Sequence, residues 1–244
     1  MPKISCVIAT KDRRLYLQNL IESIRKYTDD YEIIVVDDVS KDDTKEWCRT
    51  QDLTYITYPK SLPVGVAWDM GCKEAKGKYI QILNDDMEVT PNWISNQIEL
   101  YEKTPNPGVF AAHLLRGEEV LSRGGMFRKG TTQLIPVLAI NEVQEVDYSN
   151  TPFMSKEVYE KVGGVPHYGQ MYYEDVGLGL RALKAGLVNL YNPLCVIKHA
   201  TLGSKVEDGK EEYERRQHNE NVVQQESRKE FEKEWAKWLL HRST

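Results

Sequence analysis

Three acidic stretches and one histidine are the groups of this sequence with the clearest capacity for chemistry. Each lies at an end of a predicted strand or helix, where a side chain leaves the core and can meet a ligand. In open α/β sheets the ligand crevice lies at the carboxyl ends of the strands, so carboxylates there indicate a binding site. The groups are Asp37-Asp38, Asn84-Asp85-Asp86, Glu174-Asp175 and His199.

Each of these groups also has a purely structural interpretation. An Asn-Asp-Asp run at a strand end commonly makes a turn, because both residue types hydrogen-bond their own backbone. Glu174-Asp175 suits the first turn of a helix through the macrodipole, and a single histidine at a strand end is more often structural than a ligand. The functional interpretation therefore depends on the order and surroundings of all four groups.

The residues around Asp85 predict a buried strand followed by a helix. Residues 79–83 are apolar and β-branched enough for a strand covered on both faces. Thr90 offers an N-cap hydroxyl, Pro91 suits the first helical position, and an apolar pattern with helical spacing follows. This arrangement predicts that a central strand brings the carboxylates to the sheet edge.

The rest of the first hundred residues repeats the alternation of strand and helix. Apolar runs predict strands over 4–9, 32–36 and 53–58, and helical apolar spacing follows each of them. Such alternation is typical of βαβ units with right-handed crossovers. The sequence therefore predicts an α/β fold with a Rossmann-like, mostly parallel sheet and helices on both faces.

Beyond residue 107 the pattern changes to short strand-like pieces, with no strong helix before 147. Ser155 is predicted to cap a short helix closed by Gly163-Gly164, and a second helix is predicted after Asp175. A charged tail then carries an apolar stripe that predicts a helix docked on its own domain or on a second subunit of a homo-oligomer. The stripe consists of Phe231, Trp235, Trp238 and Leu239.

Composition limits the class of protein. The 244 residues are 41% hydrophobic and 28% charged, which fits one large globular α/β domain, or a domain plus a tail. The formal net charge of -5 argues against a dedicated nucleic-acid binder, because such a protein normally carries a basic excess.

The cysteines and the apolar runs give expectations about location. Four scattered cysteines without a C-x-x-C pair predict neither a zinc site nor a disulfide framework, and reduced thiols fit a cytoplasmic protein. No secretory signal pattern opens the sequence. The longest apolar run, 134–140, contains Pro136 and is too short to cross a bilayer. Any membrane contact is therefore expected to be peripheral.

Two glycine-rich stretches match nucleotide-binding motifs only superficially. Residues 177–182 fit G-x-G-x-x-A but lie within a helical apolar pattern and follow no strand. Residues 124–132 lack the G-K-[ST] ending of a phosphate loop. A dehydrogenase and a P-loop NTPase are both disfavoured.

Taken in order, these stretches resemble family 2 glycosyltransferases of the GT-A fold. The resemblance runs from Met1 to about Gly203 and implies a nucleotide-binding half over about 1–107, a smaller mixed-strand acceptor half over about 108–203, and a separate charged helical tail over 204–244. The likeness is carried by the segments Ile-Ala-Thr-Lys-Asp-Arg, Val-Val-Asp-Asp-Val-Ser, Ala-Lys-Gly-Lys-Tyr-Ile-Gln-Ile-Leu-Asn-Asp-Asp-Met-Glu-Val-Thr-Pro-Asn-Trp and Tyr-Glu-Asp-Val-Gly-Leu-Gly-Leu-Arg-Ala-Leu-Lys-Ala-Gly, and by His199.

The resemblance implies a donor site at the ends of the first strands. Asp38, with Asp37 and Thr10 beside it, is expected to hold the nucleobase and ribose, since a carboxylate accepts hydrogen bonds from ring N–H groups and sugar hydroxyls. Asn84 and Asp85 are expected to lie next to the donor.

The resemblance also implies a metal ion and a base. Asp86 is similar to the last acid of the family's D-x-D and, with His199, is expected to bind Mn²⁺ or Mg²⁺ that bridges the donor's diphosphate. Asp175 is similar to the base that takes the proton of the attacking hydroxyl. The acceptor is expected near three residues that precede it: Tyr172, Tyr173 and Glu174.

The sequence departs from the family pattern at three places. Asn84 stands where many relatives have the first acid of D-x-D, and Gly177 replaces a frequent acid. Trp68-Asp69 replaces a common Arg-Asn pair, which puts one donor contact in doubt.

The resemblance thus implies an inverting, metal-dependent glycosyltransferase of polysaccharide biosynthesis. It would move a hexosyl or deoxyhexosyl unit from a nucleotide-diphosphate sugar, with UDP or dTDP favoured, to a hydroxyl of a glycan or lipid-linked acceptor. The alternative is a catalytically silent GT-A domain that binds a nucleotide sugar or a glycan. A sugar-1-phosphate nucleotidyltransferase is disfavoured, because no glycine-rich basic loop follows the first strand.

Overall fold

A computed structural model describes residues 3–137, 141–200 and 210–242, and the side chains of all of these except 210–220. In chain order its elements are β1 (Ile4–Thr10), α1 (Arg14–Tyr27), β2 (Tyr31–Asp37), α2 (Thr44–Cys48), β3 (Thr54–Thr57), α3 (Val64–Glu74), β4 (Tyr79–Asn84), β5 (Met87–Val89), α4 (Trp93–Lys103), β6 (Ala111–Arg116), β7 (Glu119–Ser122), β8 (Gly125–Phe127), β9 (Leu134–Pro136), β10 (Gln144–Glu145), β11 (Phe153–Ser155), α5 (Lys156–Lys161), α6 (Glu174–Lys184), β12 (Leu190–His199) and α7 (Lys210–His241).

The first sheet has the mostly parallel arrangement predicted from the sequence. Its strand order is β11-β4-β1-β2-β3, and only the edge strand β11 runs antiparallel to its neighbour. Strands β1 and β4 lie side by side in register, with Ala9 opposite Asn84. The carboxyl ends of β1, β2 and β4 therefore meet at one edge, where the predicted donor residues stand.

Helices cover both faces of this sheet because successive strand residues point to opposite sides. The even-numbered residues of β1, such as Cys6 and Ile8, pack in one core with apolar residues of α1 and α4. Val7 points to the other face and packs in a core with residues of α3, α5 and α6. The G-x-G-x-x-A stretch lies inside α6, as its apolar spacing predicted.

The second sheet joins the two predicted halves of the chain. Its strands follow the order β10-β12-β6-β7, and β5 pairs antiparallel with β12. Strand β5 comes two residues after β4, so the Asp85-Asp86 turn links the sheets directly. The pairing sets His199 opposite Met87. This short strand is what brings the histidine to the acidic turn.

The predicted start of the helix after β4 is wrong. Helix α4 begins at Trp93, and its N-cap residue is Asn92 in the left-handed conformation, with φ of 63°. The Thr90 hydroxyl donates instead to the Val196 carbonyl at 2.7 Å. The Thr90 hydroxyl, which the local sequence predicts as a helix cap, is therefore used in a contact with β12. The Ser155 cap of α5 is confirmed, because its hydroxyl accepts from the Val158 amide at 3.1 Å.

Helix α7 packs on its own chain. Its apolar residues Phe231, Trp235 and Leu239 are each 2% exposed. They share a core with residues from the second half of the chain, including Tyr168 and Leu180. A homo-oligomer contact through this helix stays a prediction. In the described ranges, no helix has the length and apolar character needed to cross a membrane.

Candidate functional site

A cavity of about 690 Å³ opens at the carboxyl edge of the first sheet and extends under the second. Predicted residues from distant parts of the chain share its wall: Asn84, Tyr172, Glu174, Asp175 and His199. The structure therefore brings together the end of β4, the start of α6 and the end of β12. The strand-end residues Thr10, Asp37, Asp38, Asp85 and Asp86 lie outside the cavity lining and are described next.

Thr10 and Asp85 support each other at the edge of the sheet. The Thr10 hydroxyl donates to Asp85 Oδ2 at 2.8 Å, and both residues are buried. Burial raises the pKa of Asp85 to about 6, opposed by the Arg13 guanidinium, whose Nη1 lies 3.2 Å from Oδ1. With both oxygens engaged, Asp85 holds the acidic turn in place.

The Asp37-Asp38 pair divides into a buried and an accessible carboxylate. Asp37 is 1% exposed and accepts hydrogen bonds from Ser40 and from the Tyr55 hydroxyl, the latter at 2.6 Å. Asp38 is only partly buried and accepts from Ser61 at 2.7 Å and from the Lys11 ammonium at 2.8 Å. Asp38 Oδ1 accepts from the Leu62 amide at 3.1 Å. Asp38 is the more accessible of the two carboxylates, and a ligand that binds Oδ2 would replace Lys11 and Ser61.

The loops beside Asp38 adopt an unusual backbone conformation. Val39 has φ of 57° and Asp12 has φ of 53°, both in the left-handed region. A β-branched residue with positive φ is rare and costs free energy, of the order of 1–3 kcal/mol. Backbone strain of this kind clusters at ligand sites.

Asp86 and His199 face each other across the β5–β12 pairing. His199 Nε2 lies 3.4 Å from Asp86 Oδ1, and this buried oxygen has no hydrogen-bond partner among the described residues. Asp86 Oδ2 accepts from Arg13 Nη1 at 3.0 Å. The Ala200 amide donates to the Asp86 carbonyl at 2.7 Å, which fixes the turn against β12.

The donor set at Asp86 and His199 fits a divalent cation. Carboxylate oxygen and imidazole nitrogen both suit Mn²⁺, and Mg²⁺ is commonly held by one or two carboxylates together with substrate phosphates and water. Among the described residues no group of three or more His, Cys, Asp or Glu side chains could hold a metal ion. A cation here would therefore take part of its coordination from a ligand. The buried, unpartnered Oδ1 of Asp86 is the observation that supports the fit.

The acidic pair at the start of α6 follows two strained tyrosines. Tyr172 and Tyr173 have φ of 80° and 72°, so two consecutive bulky residues occupy the left-handed region. Asp175 lies at the cavity wall, and its Oδ1 accepts from the Val176 amide at 2.9 Å. Burial raises the pKa of Asp175 to about 6 and that of Glu174 to about 8. Near neutral pH the pair thus holds one ionised and one protonated carboxyl group.

Sequence reasoning gave no role to three residues of the site. Arg13 pairs with both carboxylates of the acidic turn, and a Lys-Asp-Arg run at a strand end was the available signal. Trp68 and Arg123 line the cavity. No local pattern marks Arg123, because only the folding of the second sheet brings it to the wall.

Solved structures define the class of fold. The chain is similar to GalNAc-T7, crystallised with UDP, GalNAc and Mn²⁺, with a TM-score of 0.68 and 17% identity over 82% of this chain and 44% of that one. It is also similar to residues 1–349 of S. aureus TarS in complex with UDP-GlcNAc, with a TM-score of 0.64 and 15% identity over 83% of this chain and 60% of that one. The fold is GT-A, as the resemblance implied.

The sequence profile described as Glycosyl transferase family 2 matches residues 5–163, and the chain belongs to that family. It is 24% identical over 172 residues to the Low-salt glycan biosynthesis hexosyltransferase Agl10 of Haloferax volcanii, covering 64% of this chain and 54% of that protein. It is 33% identical over 134 residues to the GalNAc(5)-diNAcBac-PP-undecaprenol beta-1,3-glucosyltransferase of Campylobacter jejuni. This match covers 50% of this chain and 42% of that protein. The chain thus spans about half the length of these curated relatives.

Proposed function

We propose that this chain is an inverting glycosyltransferase that moves a hexosyl or deoxyhexosyl unit from a nucleotide-diphosphate sugar to a hydroxyl of a glycan or lipid-linked acceptor. The observation that carries the proposal is one cavity whose wall holds Asp175 together with Asn84 and His199. A candidate base thus shares a ligand-sized space with the donor end of the first sheet. Family membership supports the reaction class.

The nucleotide is assigned to the edge formed by β1 and β2. Asp38 accepts hydrogen bonds from the base and ribose after Lys11 and Ser61 release it. Asp37 and Thr10 support this edge from within the protein, and Asn84 meets the donor at the cavity wall. Two fold relatives crystallised with UDP or UDP-GlcNAc support uridine as the base, and dTDP is the next candidate.

Asp86 and His199 would hold Mn²⁺ or Mg²⁺. When bound, such an ion supplies positive charge that stabilises the departing nucleoside diphosphate. Arg13 already places a guanidinium beside Asp86, so it holds this carboxylate in position and balances its charge. The presence of Mn²⁺ in the GalNAc-T7 structure supports the same assignment.

Asp175 acts as the general base. The acceptor oxygen attacks the anomeric carbon from the face opposite the nucleotide, its proton passes to an Asp175 carboxylate oxygen, and the bond from the anomeric carbon to the phosphate oxygen breaks. The product has inverted anomeric configuration, and the nucleoside diphosphate leaves with the bonding electron pair. With its pKa near 6, Asp175 is mostly ionised at neutral pH and ready to accept a proton. Tyr172, which lines the cavity together with Asp175, is assigned to the acceptor side, whereas Tyr173 stacks on Phe231 outside the cavity lining.

A catalytically silent nucleotide-sugar-binding domain is the second candidate. It is favoured by Asn84 in place of an acid and by a candidate cation site with two metal-ligating side chains among the described residues. A cytoplasmic location belongs to the first proposal and is supported by the free, buried state of all four cysteines.

Release of the nucleoside diphosphate from a panel of UDP- and dTDP-sugars, with Mn²⁺ and with mono- and disaccharide acceptors, tests the proposal. We expect release by the wild-type protein and loss of at least about 100-fold in Asp175→Asn, since a general base typically contributes about 10²–10⁴-fold. Asp52→Asn, at an exposed site away from the cavity, is the matched control. Nucleotide-sugar binding without release by the wild-type protein would favour the silent domain.

A further inference from the structure

Three residues that line the cavity each have a buried side-chain polar atom without a hydrogen-bond partner within the described part of the chain. The atoms are the indole Nε1 of Trp68, Nε of Arg123 and Oε1 of Glu174. Trp68 is 7% exposed and Glu174 2%. Buried polar groups without partners cost stability and are uncommon in folded proteins. Their occurrence in residues of one cavity lining therefore indicates that a ligand supplies missing partners.

The packing of α3 against α6 fixes both groups in place. A Cβ atom on Gly65 would lie 2.6 Å from Glu174 Cγ and 2.5 Å from the Pro166 carbonyl oxygen, so α3 approaches Glu174 as closely as only glycine allows. Trp68 follows Gly65 by three residues and so lies on the same side of the helix. Trp68 and Glu174 therefore lie where α3 closely approaches the start of α6.

The other unpartnered atoms lie in residues outside the cavity lining or in a side chain that is otherwise hydrogen-bonded. Gln97 has both side-chain polar atoms unpartnered, but it lies in α4, outside the cavity lining. Arg123 lines the cavity and has an unpartnered Nε, but its guanidinium already donates to the Val137 carbonyl at 2.9 Å. Trp68 and Glu174 remain as the groups whose hydrogen bonds a ligand would complete.

The chemistry of the two groups selects a hydroxyl. An indole N–H only donates, whereas a carboxyl group that burial keeps protonated near neutral pH both donates and accepts. A phosphate oxygen offers only acceptors, but a sugar hydroxyl can accept from the indole and exchange hydrogen bonds with the carboxyl group. Trp68 packs in one core with Ile80 and Ile82 of β4, the strand that ends at the donor-side Asn84.

We propose that Trp68 and Glu174 bind hydroxyl groups of the sugar that is transferred. The transferred sugar of the donor would then have a free hydroxyl group on the side that faces α3. This inference rests on the proposed function.

The test compares the affinity of nucleotide and nucleotide sugar, measured by calorimetry without acceptor. The ligands are UDP, UDP-glucose, UDP-galactose, UDP-GlcNAc and UDP-GalNAc, each with Mn²⁺. In Trp68→Phe, which removes the N–H and keeps an aromatic ring, we expect an unchanged Kd for UDP. The Kd of the best-bound UDP-sugar is expected to rise about tenfold, as for one lost hydrogen bond to a buried donor. Trp47→Phe makes the same change outside the cavity and should alter neither value.

Glu174 has a matched pair of variants. Glu174→Gln keeps a neutral donor and acceptor and should retain the affinity for the UDP-sugar within about twofold. Glu174→Ala removes both functions and should lose about tenfold, again without a change in the Kd of UDP. The unchanged UDP affinity shows that each variant is folded.

Three results would overturn the inference. One is a parallel change of both affinities in Trp68→Phe. Another is no change in either affinity, or an effect confined to the KM of the acceptor. Equal affinities of the Gln and Ala variants for the UDP-sugar would exclude Glu174. If wild-type protein binds no nucleotide and no nucleotide sugar, the proposed function itself fails and the inference fails with it; binding by wild type without the selective loss in Trp68→Phe refutes the inference alone.

Discussion

At the residue scale, the adjacent carboxyl groups of Glu174 and Asp175 differ in protonation state. Burial raises the pKa of both, to about 8 for Glu174 and about 6 for Asp175. Two neighbouring acids whose environments separate their pKa values can serve different roles at one pH. In the proposed mechanism the ionised Asp175 is the base, and the protonated Glu174 can hydrogen-bond a hydroxyl.

The pH dependence of transfer follows from the pKa of Asp175. The base must be ionised, so kcat should rise about tenfold per pH unit below about 6 and level off above it. Initial rates between pH 4.5 and 8, with saturating donor and acceptor, measure this profile. The Kd of UDP over the same range is the control for loss of donor binding. A kcat that stays constant down to pH 5 would remove Asp175 from the role of base.

The pKa of Glu174 predicts a pH dependence of stability. Because the folded pKa lies above the ordinary value of 4.5, the folded state binds the proton more tightly. Its contribution is fully present below pH 4.5 and is lost as pH rises through about 8. Raising the pH from 6 to 9 should therefore lower the Tm of the wild-type protein more than that of Glu174→Gln. Equal Tm decreases in the two proteins would contradict a buried, protonated Glu174.

The effect of Mn²⁺ on UDP binding should require Asp86. In Asp86→Ala the Kd of UDP should be the same with Mn²⁺ and with chelator, because the variant lacks the proposed carboxylate ligand. Calorimetry with Mn²⁺ and with chelator measures the two Kd values. The control Asp52→Ala should show the same difference between them as the wild-type protein. If Asp86→Ala keeps a Mn²⁺-dependent gain in affinity, the ion is bound elsewhere.

At the element scale, helix α7 holds the segment that carries the strained tyrosines. Phe231 stacks on Tyr173 with ring centroids 5.0 Å apart, and the Ser227 hydroxyl donates to the Met171 carbonyl at 2.6 Å. Glu230 accepts from the Gly169 amide at 2.8 Å. These contacts hold residues 168–173 in the conformation that directs Asp175 to the cavity.

Weakening this contact should lower turnover more than donor affinity. Phe231→Ala removes a ring that is 2% exposed, and a substitution of this kind costs about 3–5 kcal/mol. We expect a lower Tm and a kcat reduced about tenfold or more, since small displacements at a reacting centre can cost about 100-fold. The Kd of UDP should stay within about twofold. Leu240→Ala, at an exposed position of the same helix, should match the wild type.

An unchanged kcat in folded Phe231→Ala would show that α7 contributes stability without positioning the base. Measuring at a temperature well below the Tm of the variant separates this result from partial unfolding.

The elements themselves were largely predictable, and their contacts were not. Apolar periodicity is local, so it correctly gave the four parallel strands of the first sheet and α6, and residue type gave the Ser155 cap. Strand β11 was not predicted. Strand β5 has only three residues, and Thr90 bonds to β12 rather than to α4. Both features depend on a partner strand about a hundred residues later, which no local pattern reveals.

At the scale of the whole molecule, the site exists because two sheets meet at one turn. Strand β4 ends at the acidic turn, and β5 leaves this turn to pair with β12, which ends at His199. Strand β11 from the second half of the chain closes the edge of the first sheet. The two halves are therefore interlocked. A boundary near residue 107, like the separate tail over 204–244, stays a prediction.

The candidate residues could be identified from the sequence because their types and order follow a family pattern. The sequence could not show which of them are open to a ligand and which are engaged within the protein, because this depends on burial. Asp37 and Asp85 are engaged within the protein, whereas Asp38 and Asp86 retain accessible or unpartnered oxygens. Trp68 was recognised only as a departure from the pattern, and its packing beside Gly65 gives it a role.

The central claim is a cation-dependent nucleotide site at this turn. The most direct measurement is calorimetric titration of the wild-type protein with UDP, dTDP and GDP, first with Mn²⁺ and then with chelator. We expect saturable binding of UDP or dTDP that weakens at least about tenfold when the metal is removed, corresponding to about 1.4 kcal/mol. Absence of binding by every nucleotide, or equal affinity with and without Mn²⁺, would contradict the claim.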